Sequence, residues 1–166
     1  MRNDLNLDAL VPVAEDRFLT ESGLGKLAEQ LARRCTPGDV LCLFGDLGAG
    51  KTSFARAFIR ALTAPDQEVP SPTFTLAQVY ETGESLESVA LWHLDLYRLS
   101  DPEEIWELGV EEAFAEAIML IEWPERALEL LPIKRLEIHL GFCDKSMERL
   151  VALRGDARWA DRLRGQ

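Results

Sequence analysis

Apolar positions along the chain follow two kinds of pattern, one typical of amphipathic helices and the other of buried strands. Apolar residues at spacings of three and four predict a helix that begins after an N-cap at Thr20; these are Leu24, Leu27, Ala28 and Leu31. Residues 40–44 and 118–121 instead form continuous apolar runs of strand length. Such runs are typical of strands buried on both faces of a parallel sheet.

The rest of the chain predicts further helices and two antiparallel strand pairs. Segments 74–80 and 89–94 are joined by a turn-rich stretch and form a predicted hairpin, and segments 135–140 and 149–153 alternate apolar with polar residues. Helices are predicted from their apolar spacing and end signals at 53–62, 102–108, 111–117, 124–131 and 157–163. The order predicts an α/β fold with a mixed, mainly parallel sheet flanked by helices, plus antiparallel hairpin strands. A length of 166 residues predicts one domain over residues 1–166.

One segment carries a specific chemical signature. Residues 45–52, GDLGAGKT, match the phosphate-binding pattern G-x-x-x-x-G-K-[ST] and lie between a predicted buried strand and a predicted helix. Glycines let successive backbone N–H groups turn onto phosphate oxygens, while Lys51 reaches the β- and γ-phosphates and Thr52 offers a hydroxyl to Mg²⁺. The predicted nucleotide-binding residues are Asp46, Leu47, Gly48, Ala49, Gly50, Lys51 and Thr52. The pattern predicts a P-loop NTPase-like fold that binds a nucleotide, but it does not decide between hydrolysis and transfer.

Acidic residues follow two of the predicted strands. Asp95 ends the second strand of the first hairpin, and Glu122 ends the buried run at 118–121. Ligands of α/β sheets bind at the carboxyl ends of strands. Glu122 is therefore our candidate for the metal-associated acid and Asp95 for a second acid near the γ-phosphate, with solvated strand-end residues as the alternative for each.

Three further residues near these acids have both a functional and a structural interpretation. Thr73 lies between the loop helix and the hairpin, where its hydroxyl can sense the γ-phosphate as a switch or simply belong to a turn. Trp123 follows Glu122 and is either core packing or an anchor for a partner. His93 shares a strand face with Asp95, which allows a metal site or a proton relay between them, although a packed histidine is the more common outcome.

Charge is concentrated in one part of the chain. The formal net charge is −11, which argues against tight binding of DNA or RNA by this chain alone. Residues 81–129 hold 14 acidic residues and two arginines. This stretch predicts either a docking surface or a solvated helical surface. Three cysteines without CxxC spacing, no signal-peptide core and no run of membrane-spanning length favour a reduced, cytoplasmic compartment without a membrane partner.

Taken together, five segments resemble the TsaE (YjeE) family. They are GDLGAGKTSFARAF at 45–58, SPTFTL at 71–76, HLDLYRL at 93–99, DPEE at 101–104 and IEWPER at 121–126. The resemblance implies a small Mg²⁺-dependent bacterial ATPase that supports formation of N6-threonylcarbamoyladenosine at position 37 of tRNAs reading ANN codons. It implies a TsaB–TsaD heterodimer as partner, through which tRNA is reached indirectly.

The resemblance also assigns roles to single residues. It implies that Lys51, Asp95 and Thr73 serve catalysis, and that Thr52 and Glu122 hold Mg²⁺. It also implies that Trp123 belongs to a switch or partner contact and, from a looser match, that Thr20 approaches the nucleotide base. Ser53 and Phe74 depart from the commonest family pattern, where threonine and tyrosine are frequent.

Two alternative functions use the same loop. A small-molecule kinase needs an acceptor pocket and an arginine-rich lid, but arginines from the end of the predicted loop helix to Glu122 are few: Arg60, near the end of that helix, and Arg98. A non-catalytic, nucleotide-gated binding module needs only the loop and a partner surface. No N-K-x-D sequence supports guanine specificity, so ATP is the expected nucleotide.

Overall fold

The computed structural model describes residues 10–83, 88–143 and 147–165. Its strands are β1 (Val11–Pro12), β2 (Arg17–Leu19), β3 (Val40–Phe44), β4 (Ala77–Glu81), β5 (Ala90–Asp95), β6 (Ile118–Glu122), β7 (Leu136–Phe142) and β8 (Arg149–Gly155). Its α-helices are α1 (Glu21–Ala32), α2 (Lys51–Leu62), α3 (Val110–Glu116) and α4 (Ala157–Arg164). Shorter 3₁₀ helices are Pro102–Leu108, Pro124–Arg126 and Leu128–Leu130.

All of the strands join one mixed sheet, in the order β1-β8-β7-β3-β6-β5-β4, with β2 also paired to β8. The central strands β7, β3, β6 and β5 pair in parallel, whereas β4, β8, β1 and β2 add antiparallel pairings at the two edges. The predicted mixed α/β sheet with antiparallel hairpins is therefore confirmed. In the register of β5 and β6, Asp95 lies opposite Glu122, so both predicted acids reach the same edge of the sheet.

Two apolar layers cover the sheet. On one face, α1, α2 and α4 contribute fully buried residues such as Phe54, Phe58 and Trp159. On the other face, α3 and the 3₁₀ helix Pro102–Leu108 contribute Ile105 and Val110. Burial of large side chains on both faces holds the central strands rigidly, because each such side chain stabilises the fold by roughly 1.5–3 kcal/mol.

Most predicted elements are confirmed, with shifts at their ends. The Thr20 hydroxyl accepts a hydrogen bond from the N–H of Gly23, which confirms the predicted N-cap of α1. β4 begins three residues later than predicted because Leu76 N–H bonds the Pro72 carbonyl at 2.7 Å in a turn. Leu76 also has φ 63°, a left-handed conformation that interrupts an extended strand.

Other differences arise where local turn geometry overrides the apolar pattern. The predicted helix at 124–131 is two separate 3₁₀ turns, because Trp123 has φ 57° and Ala127 also leaves the helical region at φ −143°. The helix after Asp101 is 3₁₀ rather than α, although its capping box and the left-handed Gly109 at its end match the predicted signals. β1 and β2 were not predicted, since two or three mostly exposed residues carry no readable alternation.

Within the described ranges, none of the helices has both the length and the apolar character needed to cross a membrane.

Candidate nucleotide site

The phosphate-binding loop connects the end of β3 to the start of α2, as predicted. Gly45 has φ 147°, and a Cβ at this position would lie 2.6 Å from the carbonyl oxygen of Leu140. Gly48 and Gly50 also have positive φ, of 80° and 108°. Close backbone approach therefore requires glycine at Gly45, and the positive φ values of Gly48 and Gly50 favour glycine there as well. A pocket of about 400 Å³ opens beside this loop.

Lys51 lies folded onto the loop, where its contacts are to neutral acceptors and to an aromatic ring. Its Nζ donates to the carbonyl oxygens of Gly45 and Asp46, the latter at 2.9 Å, and lies 3.8 Å from the centre of the Trp123 ring. Only 5% of the residue is exposed. Burial lowers the pKa of Lys51, against the opposing effect of nearby carboxylates that include Glu122. The ammonium is thus largely desolvated and held by neutral acceptors, which anionic phosphate oxygens can replace favourably.

Glu122 is a buried carboxylate with a partner on each oxygen. Thr52 Oγ1 lies 3.2 Å from Glu122 Oε2, and His93 Nε2 lies 2.8 Å from Glu122 Oε1. Glu122 is 1% exposed, so its orientation is set by these two contacts. The predicted metal pair Thr52 and Glu122 is brought into direct contact.

These donors fit Mg²⁺ that arrives with a nucleotide. Mg²⁺ binds through one or two carboxylates together with substrate phosphates and water rather than in an all-protein cage. A hydroxyl and one carboxylate next to the phosphate-binding loop match that donor set. Across the described part of the chain, no cluster of three His, Cys, Asp or Glu residues is arranged to hold a metal by itself.

A chain of hydrogen bonds ties the segment after α2 to the end of β5. Thr73 Oγ1 donates to Asp95 Oδ2 at 3.0 Å and lies 2.6 Å from Ser71 Oγ. The other oxygen of Asp95 accepts from the N–H of Tyr97 at 3.0 Å. Asp95 is 4% exposed, so the carboxylate is held at the pocket wall rather than solvated at a strand end. This arrangement couples the position of Thr73 directly to Asp95.

Trp123 is half-buried in the pocket wall and not part of the deep core. Its left-handed backbone, φ 57°, turns the chain sharply after Glu122. Its ring contacts both the Lys51 ammonium and the Tyr97 ring, whose centre is 4.8 Å away. The structure thus places this tryptophan against the lysine of the loop.

The pocket brings together most of the predicted site residues. It is lined by Leu47, Gly48, Gly50, Lys51, Thr52, Thr73, Asp95, Glu122 and Trp123, among others. Asp46 contributes its carbonyl to Lys51, while Ala49 is buried beneath the loop. Thr20 is exposed and does not line the pocket. Leu24, one helical turn further on, would lie 3.0 Å from a Cβ on Gly50, so this end of α1 adjoins the loop and a base contact by Thr20 stays a prediction.

Some residues of the site were not selected from the sequence. Ser71 and Tyr97 bond to the Thr73–Asp95 pair, and the Arg98 guanidinium stacks 4.4 Å from the ring of Phe74 at the pocket mouth. His93 is fully buried, as expected for a packed histidine, but it bonds Glu122 and not Asp95. Sequence alone could not choose between these acids, because the choice depends on the pairing of β5 with β6.

The chain is similar to one family of known proteins over most of its length. The model of the family "Threonylcarbamoyl adenosine biosynthesis protein TsaE" matches residues 19–151. A Rickettsia felis protein named tRNA threonylcarbamoyladenosine biosynthesis protein TsaE is 44% identical over 121 residues, covering 73% of this chain and 68% of that protein. The Bacillus subtilis protein of the same name is 42% identical over 113 residues, covering 68% and 67%.

Similarity extends to a solved structure. The crystal structure of YdiB from Bacillus subtilis superposes with a TM-score of 0.69 at 28% identity, covering 90% of this chain and 91% of that one. The chain and YdiB therefore share an α/β architecture across nearly their whole lengths.

Proposed function

Since the chain belongs to the TsaE family, which functions in tRNA threonylcarbamoyladenosine biosynthesis, we propose that it is a Mg²⁺-dependent ATPase. In this proposal it supports N6-threonylcarbamoyladenosine formation at position 37 of ANN-decoding tRNAs by acting on a TsaB–TsaD heterodimer. The observation that carries the proposal is the pocket in which Lys51, Thr52, Asp95 and Glu122 converge beside the phosphate-binding loop.

Phosphate binding begins at the loop and Lys51. Backbone N–H groups of the loop and the N-terminus of α2 provide donors and partial positive charge for the phosphates. The Lys51 ammonium exchanges its carbonyl partners on Gly45 and Asp46 for phosphate oxygens. Because Lys51 is already desolvated, its charge acts on the phosphates without the cost of removing a water shell at that moment.

Thr52 and Glu122 would hold Mg²⁺ beside the phosphates, since they already touch each other at the start of α2 and the end of β6. When bound, the ion would neutralise the negative charge that develops on the phosphate oxygens. Asp95 and Thr73 would orient the attacking water and sense the γ-phosphate. Their mutual hydrogen bond means that a group contacting Thr73 also alters the surroundings of Asp95.

The acidic stretch 81–129 is proposed as the surface that meets the partner. Residues 84–87 of this stretch lie outside the described residues. Among its described acids, Asp95 and Glu122 are buried in the pocket wall, whereas Glu103, Glu107 and Glu111 are exposed. An exposed negative surface is suited to a basic protein partner. The triple change Glu103→Lys, Glu107→Lys and Glu111→Lys is expected to weaken the complex and to leave the fold intact.

A matched control for this surface reverses three exposed acids outside the stretch, namely Glu15→Lys, Asp66→Lys and Glu68→Lys. Both triple variants change the net charge equally, so a long-range charge effect would weaken both. Loss of TsaB–TsaD affinity in the first variant only supports the docking surface. Equal affinity of the two variants contradicts it.

The test of the activity is ATP turnover with and without TsaB and TsaD, followed by product analysis. Phosphate released to water supports an ATPase, whereas a phosphorylated small molecule identifies a kinase. Negligible turnover even with both partners present, together with nucleotide-dependent complex formation, would identify a non-catalytic, nucleotide-gated module. We expect phosphate release, at a rate that increases when the partners are added. The proposed compartment of action is the cytoplasm.

A further inference from the structure

His93 is a buried histidine with a single polar partner. None of its surface is exposed, and its Nε2 lies 2.8 Å from Glu122 Oε1. Its other ring nitrogen, Nδ1, has no hydrogen-bond partner among the described residues. The one polar contact of this side chain is therefore made to the carboxylate that Thr52 touches from the other side.

The ionised state of Glu122 that metal binding requires determines which ring nitrogen donates. At 2.8 Å from an oxygen of an ionised carboxylate, a bare Nε2 would set two lone pairs against each other, so Nε2 bears the hydrogen and donates it. In the neutral ring Nδ1 is then a bare acceptor, and no donor from the described residues meets it. The histidine acts as a fixed donor directed at Glu122.

Sheet register explains why this contact can form. In the parallel pairing of β5 with β6, His93 lies opposite Leu120, two residues before Glu122 on the same face. The histidine therefore reaches Glu122 diagonally and occupies Oε1, while Thr52 occupies Oε2. A glutamate side chain has several freely rotating bonds, and holding both oxygens selects one orientation of the carboxylate.

We propose that His93 is a positioning residue for magnesium binding. By occupying Oε1, it keeps Oε2 of Glu122 directed at the Thr52 hydroxyl, and it thereby supports the part of nucleotide affinity that depends on Mg²⁺. This inference rests on the proposed function of the same pocket. Partners that orient a metal-binding side chain typically change metal affinity by about 10–100-fold when removed.

A merely structural role is the competing interpretation. An apolar residue would pack at this fully buried position without leaving a ring nitrogen unpaired, so packing alone does not account for a histidine. The two interpretations differ in what a substitution changes. A packing role affects stability and every ligand, whereas a positioning role affects the contribution of Mg²⁺ alone.

The experiment measures binding of a non-hydrolysable ATP analogue in Mg²⁺ and in EDTA. His93→Leu removes the donor while retaining an apolar side chain of moderate size. His93→Gln keeps an amide N–H at about the reach of Nε2, and His93→Asn places its amide near Nδ1, out of reach of Glu122. Thermal unfolding of each variant checks that the fold is retained.

We expect Mg²⁺ to tighten binding in the wild type, and His93→Leu and His93→Asn to reduce that gain by about 10–100-fold. Affinity in EDTA should stay within about twofold, since the loop and Lys51 are unaltered, and His93→Gln should recover most of the gain. If His93→Leu does not fold, the comparison of His93→Asn with His93→Gln decides the matter.

Three results overturn the inference. In the first, the variants that lack the donor keep the full increase in affinity that Mg²⁺ causes. In the second, they lose as much affinity in EDTA as in Mg²⁺. In the third, His93→Gln binds the analogue in Mg²⁺ as poorly as His93→Asn. A wild type with no Mg²⁺ gain at all contradicts the proposed ATPase itself, and the inference with it. That outcome is distinguishable because it appears before any substitution is made.

Discussion

Replacement of Lys51 by alanine separates the chemical role of this lysine from its structural one. The substitution removes two hydrogen bonds from Nζ to neutral carbonyl oxygens and the contact with the Trp123 ring. Hydrogen bonds contributed by a charged group stabilise a protein by roughly 1.5–3 kcal/mol each. Desolvation of a 5% exposed ammonium opposes this contribution. The two bonds together contribute roughly 3–6 kcal/mol, and desolvating one buried ion costs several kcal/mol. Because these two effects nearly cancel, we expect the free energy of unfolding to change by only about 1 kcal/mol.

The effect on turnover should be much larger than the effect on stability. A preorganised donor directed at developing charge contributes about 10²–10³-fold to the rate, which corresponds to roughly 3–4 kcal/mol of transition-state stabilisation. Lys51→Ala should therefore lose at least 100-fold in ATP turnover while remaining folded at the assay temperature.

The assay is phosphate release at saturating ATP with TsaB and TsaD present, alongside thermal unfolding of each variant. Lys51→Met is the matched control, because it keeps an apolar stem of similar length over Trp123 and lacks the charge. Equal losses in the alanine and methionine variants assign the effect to the charge. Unchanged turnover in Lys51→Ala refutes the role of this lysine, and recovery in Lys51→Met refutes the electrostatic explanation.

Three further predictions concern the surroundings of the pocket and the sheet. Thr73→Val removes the hydroxyl that bonds Asp95 at 3.0 Å, and it should lower turnover by about 10-fold or more while leaving ATP affinity nearly unchanged; equal turnover contradicts a switch role. Burial raises the pKa of Glu137, but hydrogen bonds and charges from His139 and Arg135 outweigh it, so the pKa lies below its usual 4.5. The ionised carboxylate therefore stabilises the fold above about pH 4.5, and this stabilisation is lost as the pH falls through the folded-state pKa. The free energy of unfolding should decrease less on acidification in Glu137→Gln than in the wild type. ATP should draw Lys51 away from the Trp123 ring and change the tryptophan emission, a change that Trp123→Phe should abolish.

The elements that pattern alone predicted well are those with long, continuous signals. The apolar run of β3 and the helical spacing of α1 leave few alternatives, and the Thr20 cap forms as predicted. The position of the glycine-rich loop between β3 and α2 was predictable because glycine positions, lysine and threonine occur at fixed spacing between a strand and a helix.

Details of the site depended on tertiary pairing that no local pattern contains. The sequence placed His93 on the face of Asp95, but only the register of β5 against β6 shows that His93 reaches Glu122. Likewise, no local pattern predicts the left-handed backbone of Trp123, which precedes two 3₁₀ turns in place of the predicted helix and brings the ring against Lys51. A left-handed conformation is disfavoured for tryptophan, so it forms only because the surrounding packing stabilises it.

The most direct test of the account reconstitutes tRNA modification with TsaB and TsaD and follows it together with ATP hydrolysis. With the wild-type chain, N6-threonylcarbamoyladenosine should accumulate through many turnovers, with phosphate released in step. With Lys51→Ala, phosphate release should fall at least 100-fold, and modification should stop after about one turnover. Sustained modification without this protein, or with the lysine variant, would contradict an ATPase role in threonylcarbamoyladenosine formation.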